Sequence, residues 1–369
     1  MASMRDLRPP AAPRAMLVIR LGAVGDVLRT LPALSCLRRS FPGTRISWIV
    51  EEPSREILEG HPDLDEVIVF ERRLLGRGLR EGGLGASWRR LRDFTTSLRE
   101  RRFAWVVDLH GTFKSAMIAR AARADKIFGF GSSHSREKAH LFYSDPIRLS
   151  RARMSRVERA LEVAAALGAD TSSPRRILPP DAAAARAMNA FLEKEAPHRP
   201  RVLIYPGTSR AQAYKRYPAD RLARVCADLA ERSGATLLVG WGPGEREMAE
   251  SVRALVGRSC LLAPPTRLRE LGELIRACDL FIGSDTGPLH LAAATGAPVL
   301  ALYGPTDPEV NAPYTDRPHA TFVGDVACRP CRNKGCRNRS CLLLIDTSDV
   351  TRRAMELLAG TAAAPATGS

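Results

Sequence analysis

Short apolar runs alternate with longer amphipathic stretches along most of the chain. MLVIRL at 16–21 reads as a strand closed by a glycine-containing turn, and helical spacing follows from about Asp26 to Arg39. RISWIV (45–50), VIVF (67–70), WVVDL (105–109) and KIFGF (126–130) read as the next strands, with helices between most of them. The alternation pauses at about 170–200, where TSSPRRILPPD and EKEAPHRPR flank one alanine-rich helix. It then restarts with RVLIYPG (201–207), a helix from Pro218, TLLVGW (236–241), a helix from Glu245, LFIGSD (280–285), a helix after Gly287 and PVLALYG (298–304). Apolar strands separated by helices imply parallel sheets covered on both faces. The pattern predicts an α/β protein with two Rossmann-like, doubly wound domains at 16–180 and 201–359, joined by a linker region at 181–200. The ends, 1–15 and 360–369, are expected to be disordered. Two such domains facing each other would form a central cleft, with ligands at the carboxyl ends of the strands.

Composition adds little to this. A chain of 369 residues with 45% hydrophobic and 26% charged positions suits two globular domains. No apolar run reaches the roughly 20 residues that span a bilayer. MASMRDLRPPAAPRAM lacks the apolar core of a secretory signal, so a cytoplasmic protein is expected. Charge adds more. The net charge is +16, with 32 basic and 20 acidic residues in 1–180 against 24 and 20 in 181–369. A basic first half asks for an acidic partner: nucleic acid, an anionic membrane surface or a phosphorylated substrate. The competing reading is compositional, because Arg outnumbers Lys by 50 to 6.

Three strand ends carry the candidate chemistry. After the first strand, RLGAVGDVLRTLPAL (20–34) sets Gly22 and Gly25 in a tight turn and Asp26 at the start of a helix. Asp26 there is either a helix cap or a group facing the cleft. The loop lacks GK[ST] and GxGxxG, so it is neither a Walker A loop nor a dinucleotide fingerprint. After the 201–207 strand, YPGTSRAQAYKRYPAD (205–220) offers the hydroxyls of Thr208 and Ser209 and two cations, Lys215 and Arg216, beside a helix start. That arrangement is suited to an anion, though a solvated basic turn would look the same. In FIGSDTGPLHLAAATGAPVLALYGPTDP (281–308), Asp285 ends a strand, and Thr286 and Gly287 open a helix whose free N–H groups can bind a diphosphate. His290 lies one turn further in, as a ligand group or a packing residue. Thr306 and Asp307 fall at another strand end.

Taken together, these segments resemble the bacterial lipopolysaccharide heptosyltransferases, glycosyltransferase family 9. The matching pieces are RLGAVGDVLRTLPAL, DLHGTFKSA (108–116), SREKAHLFY (135–143), PGTSRAQAYKRYP, GPGEREMAE and SDTGPLHLAAATGAPVLALYGPTDP, in order across about 16–345. The resemblance implies a GT-B fold, with the acceptor in the first half and an ADP-sugar in the second. It implies an inverting transfer of heptose from ADP-heptose to a lipopolysaccharide inner-core acceptor. Asp26 falls on the family's general base and Lys215 on its diphosphate-binding lysine. Asp285, Thr286 and Gly287 fall on its donor-phosphate motif, and Glu245 on an acidic residue facing the donor ribose. Thr208, Ser209, Arg216 and His290 complete the expected donor side. Gly25, His110, Lys114, Arg120 and Arg136 are the acceptor-side candidates. The family often has Gln where this chain has His110, a departure that concerns the acceptor and not the fold. No cofactor is required by this mechanism, and no DxD pair stands at a donor strand end. The stretch 71–102, with ten arginines against four acids, gains a role beside a lipid-linked anionic glycan at the inner-membrane surface. A solvated loop is the alternative.

Cys328, Cys331, Cys336 and Cys341 are spaced C-x2-C-x4-C-x4-C. In a reducing compartment this spacing points to metal before disulfides, with structural zinc first and an iron–sulfur cluster or packed thiols as alternatives. Cys36, Cys226, Cys260 and Cys278 lie in apolar stretches and belong to the core. A basic nucleic-acid binder with structural zinc is the other class of reading. It is disfavoured because the arginine runs hold few aromatics for stacking and leave the strand-end motifs unexplained. Another nucleotide-sugar on the same scaffold, or a non-catalytic homologue, are the alternatives within the family. The sequence does not fix the oligomeric state.

Overall fold

The computed structural model describes residues 12–71, 83–175, 178–257, 259–331 and 333–362. The chain divides into two units, one ending at Pro179 and the other starting at Pro180. The first unit holds β1 (Ala15–Ile19), β2 (Arg45–Glu51), β3 (Glu66–Phe70), β4 (Trp105–Asp108), β5 (Lys126–Phe130) and β6 (Asp145–Ile147). They form one parallel sheet in the order β3-β2-β1-β4-β5-β6. The second unit holds β7 (Arg201–Tyr205), β8 (Thr236–Val239), β9 (Cys260–Leu262), β10 (Leu280–Ser284), β11 (Val299–Tyr303) and β12 (His319–Val323). Its sheet is also parallel, in the order β12-β11-β10-β7-β8-β9. Both orders are the doubly wound Rossmann arrangement, with the strand order reversing at β1/β4 in one unit and at β7/β10 in the other.

The apolar runs explain the central strands. In β1, Met16, Leu17, Val18 and Ile19 are all 0% exposed, so both sheet faces are covered and strict alternation is unnecessary. Helix starts are written locally. Thr112 and Ser115 form a capping box on the helix Phe113–Ala121, as Ser155 and Glu158 do on Arg156–Ala166. Those two caps fix the chain on either side of the first unit's pocket.

Five expectations need correcting. The helical stretch from Asp26 to Arg39 is two helices, Val24–Leu28 and Leu31–Ser40, because Pro32 has no N–H to continue the first. Residues 181–200 are not a free linker: Asp181 caps the helix Ala182–Glu195, and its own N–H donates to Glu273 at 2.8 Å within the second unit. The helix Thr347–Ala362 continues past Gly360, where the disordered tail was expected to begin. In the 71–102 stretch, residues 72–82 lie outside the described residues, and a helix, Gly83–Glu100, occupies most of the rest. Residues 1–11 and 363–369 also lie outside the described residues, but the end of the 1–15 segment is ordered: Ala15 belongs to β1, and the Pro13 carbonyl accepts from Thr44 Oγ1 at 2.7 Å. Among the described residues no helix is long and apolar enough to cross a membrane.

Candidate active site

Each unit places its candidate residues at its own switch point, as open parallel sheets require. In the first unit, Asp26 follows β1 and His110 follows β4. The Asp26 carboxylate is not a helix cap. It pairs with Arg20 at 2.8 Å, Arg29 at 2.6 Å and Arg156 at 3.4 Å. Burial alone would raise the Asp26 pKa, but the combined fields of Arg20, Arg29 and Arg156 hold it well below the usual carboxylate range. Arg20 also donates to the carbonyl of Leu109 at the end of β4, which ties the two switch-point strands together. The β4 loop is pinned by the fully buried Asp108, which accepts from the N–H groups of His110 (2.9 Å) and Gly111 (3.1 Å) and from the Tyr143 hydroxyl (2.8 Å). Burial, and next the nearby Arg20 charge, push the His110 ring down to about 3, so it is neutral at physiological pH. Arg136, Arg156 and Arg159 line the pocket over Asp26 with His110 and His134, around about 570 Å³ of space open to solvent. With Arg20 the wall carries four arginines against one carboxylate, a surface made for an anion.

In the second unit, three strand ends converge. After β7, Lys215 reaches across to Asp285, the residue following β10, at 2.8 Å. The other Asp285 oxygen meets His290 Nε2 at 3.4 Å. Burial opposes ionisation of Asp285, but the His290 hydrogen bond and the Lys215 charge outweigh it and lower its pKa below the ordinary range. Thr286 is the N-cap of the helix Gly287–Thr295 and does not cap with its own side chain, so the first N–H groups keep their anion-binding capacity. After β8, Glu245 accepts from the Tyr205 hydroxyl at 2.9 Å and from the Gly242 N–H at 3.1 Å. Gly207 makes room for it: a Cβ there would stand 2.4 Å from Glu245 Oε2. Arg216 is turned back on its own loop, donating to Thr208 Oγ1 (2.9 Å) and to the Thr208 carbonyl (2.5 Å). The cation aimed at the helix start is thus Lys215 alone of the expected pair, while Thr208 and Arg216 shape the loop. Ser209 is exposed.

The sequence profile of glycosyltransferase family 9 (heptosyltransferase) matches residues 91–342. The chain belongs to glycosyltransferase family 9. The lipopolysaccharide heptosyltransferase 1 of Pseudomonas aeruginosa is 29% identical over 323 residues, covering 87% of each chain. That of Salmonella typhimurium is 30% identical, covering 81% of this chain and 91% of its own. Among solved structures, a family 9 glycosyltransferase of Veillonella parvula superimposes with a TM-score of 0.76 at 25% identity, covering 94% of this chain and 97% of its own. The E. coli heptosyltransferase WaaC with ADP gives 0.73 at 24% identity, covering 93% and 99%, and attests the GT-B fold.

The remaining acceptor candidates of this family 9 chain divide. Gly25 is buried in the Asp26 turn and its carbonyl accepts from Arg29, so it shapes the turn. Arg136 lines the pocket. Lys114 does not: it pairs with the buried Glu51 at 2.6 Å and lies over the Phe70 ring. Arg120 sits in the last turn of the Phe113–Ala121 helix, which runs back toward the opposite edge of the sheet and away from the strand ends. Sequence reasoning missed Arg20, Arg29, His134, Arg156 and Arg159. Arg20 carried a signal, since a cation closing an apolar strand needs a counter-ion. Arg156 carried none, being far from Asp26 in sequence.

For the cysteine segment structural zinc is the first expectation, with an iron–sulfur cluster or packed thiols as the alternatives. Among the described residues no three side chains of metal-binding type gather to hold an ion. The four thiols are unpaired, with Cys328 and Cys336 exposed. What the segment does show is a bracing role: the Cys331 N–H donates to the Pro305 carbonyl, Arg329 to the Thr306 carbonyl at 3.0 Å, and Arg339 to the Arg216 carbonyl. It therefore ties together the loops after β7 and β11. Cys36, Cys226, Cys260 and Cys278 are buried, as expected.

Proposed function

We propose that this chain transfers heptose from ADP-heptose to an anionic acceptor of the lipopolysaccharide inner core, with inversion. The observation that carries this reading is the division of chemistry between switch points. A single carboxylate in an arginine-lined pocket marks one, and a lysine beside an open helix N-terminus marks the other. Asp26 accepts the proton of the acceptor hydroxyl as its oxygen bonds to the anomeric carbon. The bond from that carbon to the diphosphate breaks, and Lys215 with the amides at Thr286 and Gly287 stabilises the departing ADP. Asp285 and His290 hold Lys215 in place. Glu245 supplies an acceptor for a ribose hydroxyl. The chemistry places no demand on a divalent metal, so turnover should persist in EDTA, and loss restored by magnesium or manganese would refute that part.

A place at the cytoplasmic face of the inner membrane is supported by exposed apolar groups at the pocket end of the first sheet. Trp88 is 68% exposed, Phe113 46% and Leu141 68%, with Arg89, Arg90 and Lys138 exposed near them in sequence. The deciding experiment is a thermal-shift series with ADP-, UDP- and GDP-sugars, followed by mass analysis of an acceptor incubated with ADP-heptose. Stabilisation by the ADP compounds and a one-heptose mass gain are expected; a preference for UDP would overturn the donor assignment.

A further inference from the structure

The next step rests on the reading of Asp26 as the proton acceptor. A carboxylate that answers three arginines is a poor base, because each N–H donor occupies a lone pair and each positive charge favours the ionised form. The three partners are not equivalent. Arg20 and Arg29 are 10% and 9% exposed and lie 2.8 and 2.6 Å from Asp26, and they also donate to the carbonyls of Leu109 and Gly25. Arg156 is 29% exposed, opens the Arg156–Ala166 helix, and lies furthest from Asp26, at 3.4 Å. It also faces the pocket beside Arg159 and Arg136.

We propose that an anionic group on the acceptor draws Arg156 away from Asp26, so that the base is released only when a negatively charged acceptor is seated. Arg156 is then a positioning and specificity residue. Acceptor charge becomes a condition for kcat and not only for binding. When Arg156 turns to a substrate carboxylate or phosphate, Asp26 Oδ1 loses one cation while Arg20 and Arg29 keep the carboxylate oriented. Asp26 then takes the hydroxyl proton, the oxygen's electron pair forms the new glycosidic bond, and the old bond's pair leaves on ADP. The charged groups around Asp26 are Arg20 from the end of β1, Arg29 from its own turn, Arg156 and Arg159 from one helix, and Arg136 from the loop after β5. His110 is neutral at working pH, and Asp108 is buried at the end of β4.

The test pairs an acceptor carrying its anionic group with the same acceptor esterified or amidated there, on the wild type, Arg156→Gln and Arg156→Lys. In the wild type kcat should fall about ten-fold or more on the neutral acceptor, on the scale of general-base catalysis. Arg156→Gln should show less than about a three-fold difference in kcat between the two, and should exceed the wild type on the neutral one. Arg156→Lys should restore part of the discrimination. The acid limb of kcat on the charged acceptor should lie at higher pH than that of kcat/KM, which reports the free enzyme. A charge effect confined to KM in the wild type, where transfer itself occurs, would overturn this inference alone. Absence of transfer to either acceptor would overturn the functional reading and this inference with it.

Discussion

At Asp26, sequence position and chemical environment make separate statements. The strand–turn–helix context put a carboxylate at a switch point, and that much was readable from RLGAVGDV. Its three arginine partners come from the strand end, the same turn and a distant helix, and only the fold brings the last of them in. Asp26→Asn keeps the shape and removes the proton acceptor. It should lower kcat by about 100-fold or more while ADP binding, proposed above for the second unit, stays unchanged by calorimetry. Activity near the wild-type level would reduce Asp26 to a counter-ion. Gly207 gives a second residue-scale case. Gly207→Ala would drive a methyl group into Glu245 Oε2, 2.4 Å from the ideal Cβ position. The Glu245 carboxylate must then leave Tyr205 and Gly242. The expected result is a rise of about ten-fold or more in donor KM, with little change in acceptor KM, as a lost charged hydrogen bond would give. Equal KM values for donor in the two proteins would remove Glu245 from the donor site.

Elements were legible in proportion to their burial. The nine strands read from the sequence carry four or more apolar or buried positions, and their carboxyl ends were placed to within a residue or two. The three that were missed, β6, β9 and β12, lie at sheet edges. DPI, CLL and HATFV are short or half exposed, so neither a continuous apolar run nor a clean alternation marks them. The helix Gly83–Glu100 shows what such exposure can mean for function. It runs beside Phe113–Ala121, and Arg99 reaches the Ala121 carbonyl at their far ends. At 1.5 Å per residue, Trp88 and Phe113 are both carried back toward the strand-end edge. Leu141 joins them through the 3-10 turn Ala139–Phe142, where Phe142 packs edge-on against Phe113. Exposed apolar side chains, with the exposed Arg89 and Arg90 next to Trp88 in sequence, suit an anionic bilayer, each cation adding about 1 kcal/mol. Trp88→Ala combined with Arg89→Gln and Arg90→Gln should therefore cut partitioning onto anionic vesicles by about ten-fold or more. Binding to neutral vesicles should be weak for both proteins. Unchanged sedimentation with anionic vesicles would overturn a membrane role for these residues.

At the scale of the molecule, the charge arithmetic and the topology converge on a division of labour. The first half carries most of the net charge and the arginine-lined pocket; the second carries the lysine and helix start suited to a diphosphate. Each unit has a complete six-stranded sheet and its own buried core, Leu17, Ile19, Val106 and Ile127 in one and Val202, Ile204, Leu237 and Ile282 in the other. Every donor-side group discussed above, from Tyr205 to Arg339, lies in the second. A unit that owns both its core and its ligand groups should fold and bind without the rest. A fragment starting at Pro180 should therefore unfold cooperatively and be stabilised by ADP, by about 2.7 kcal/mol at a hundred-fold excess over Kd. The same fragment with Lys215→Ala should fold equally well and lose most of that stabilisation, since the cation facing the helix start is gone. The first unit expressed alone should gain nothing from ADP. A folded second unit that ignores ADP would mean the nucleotide site is incomplete without groups from the other unit, and the division of labour argued from the two switch points would fail.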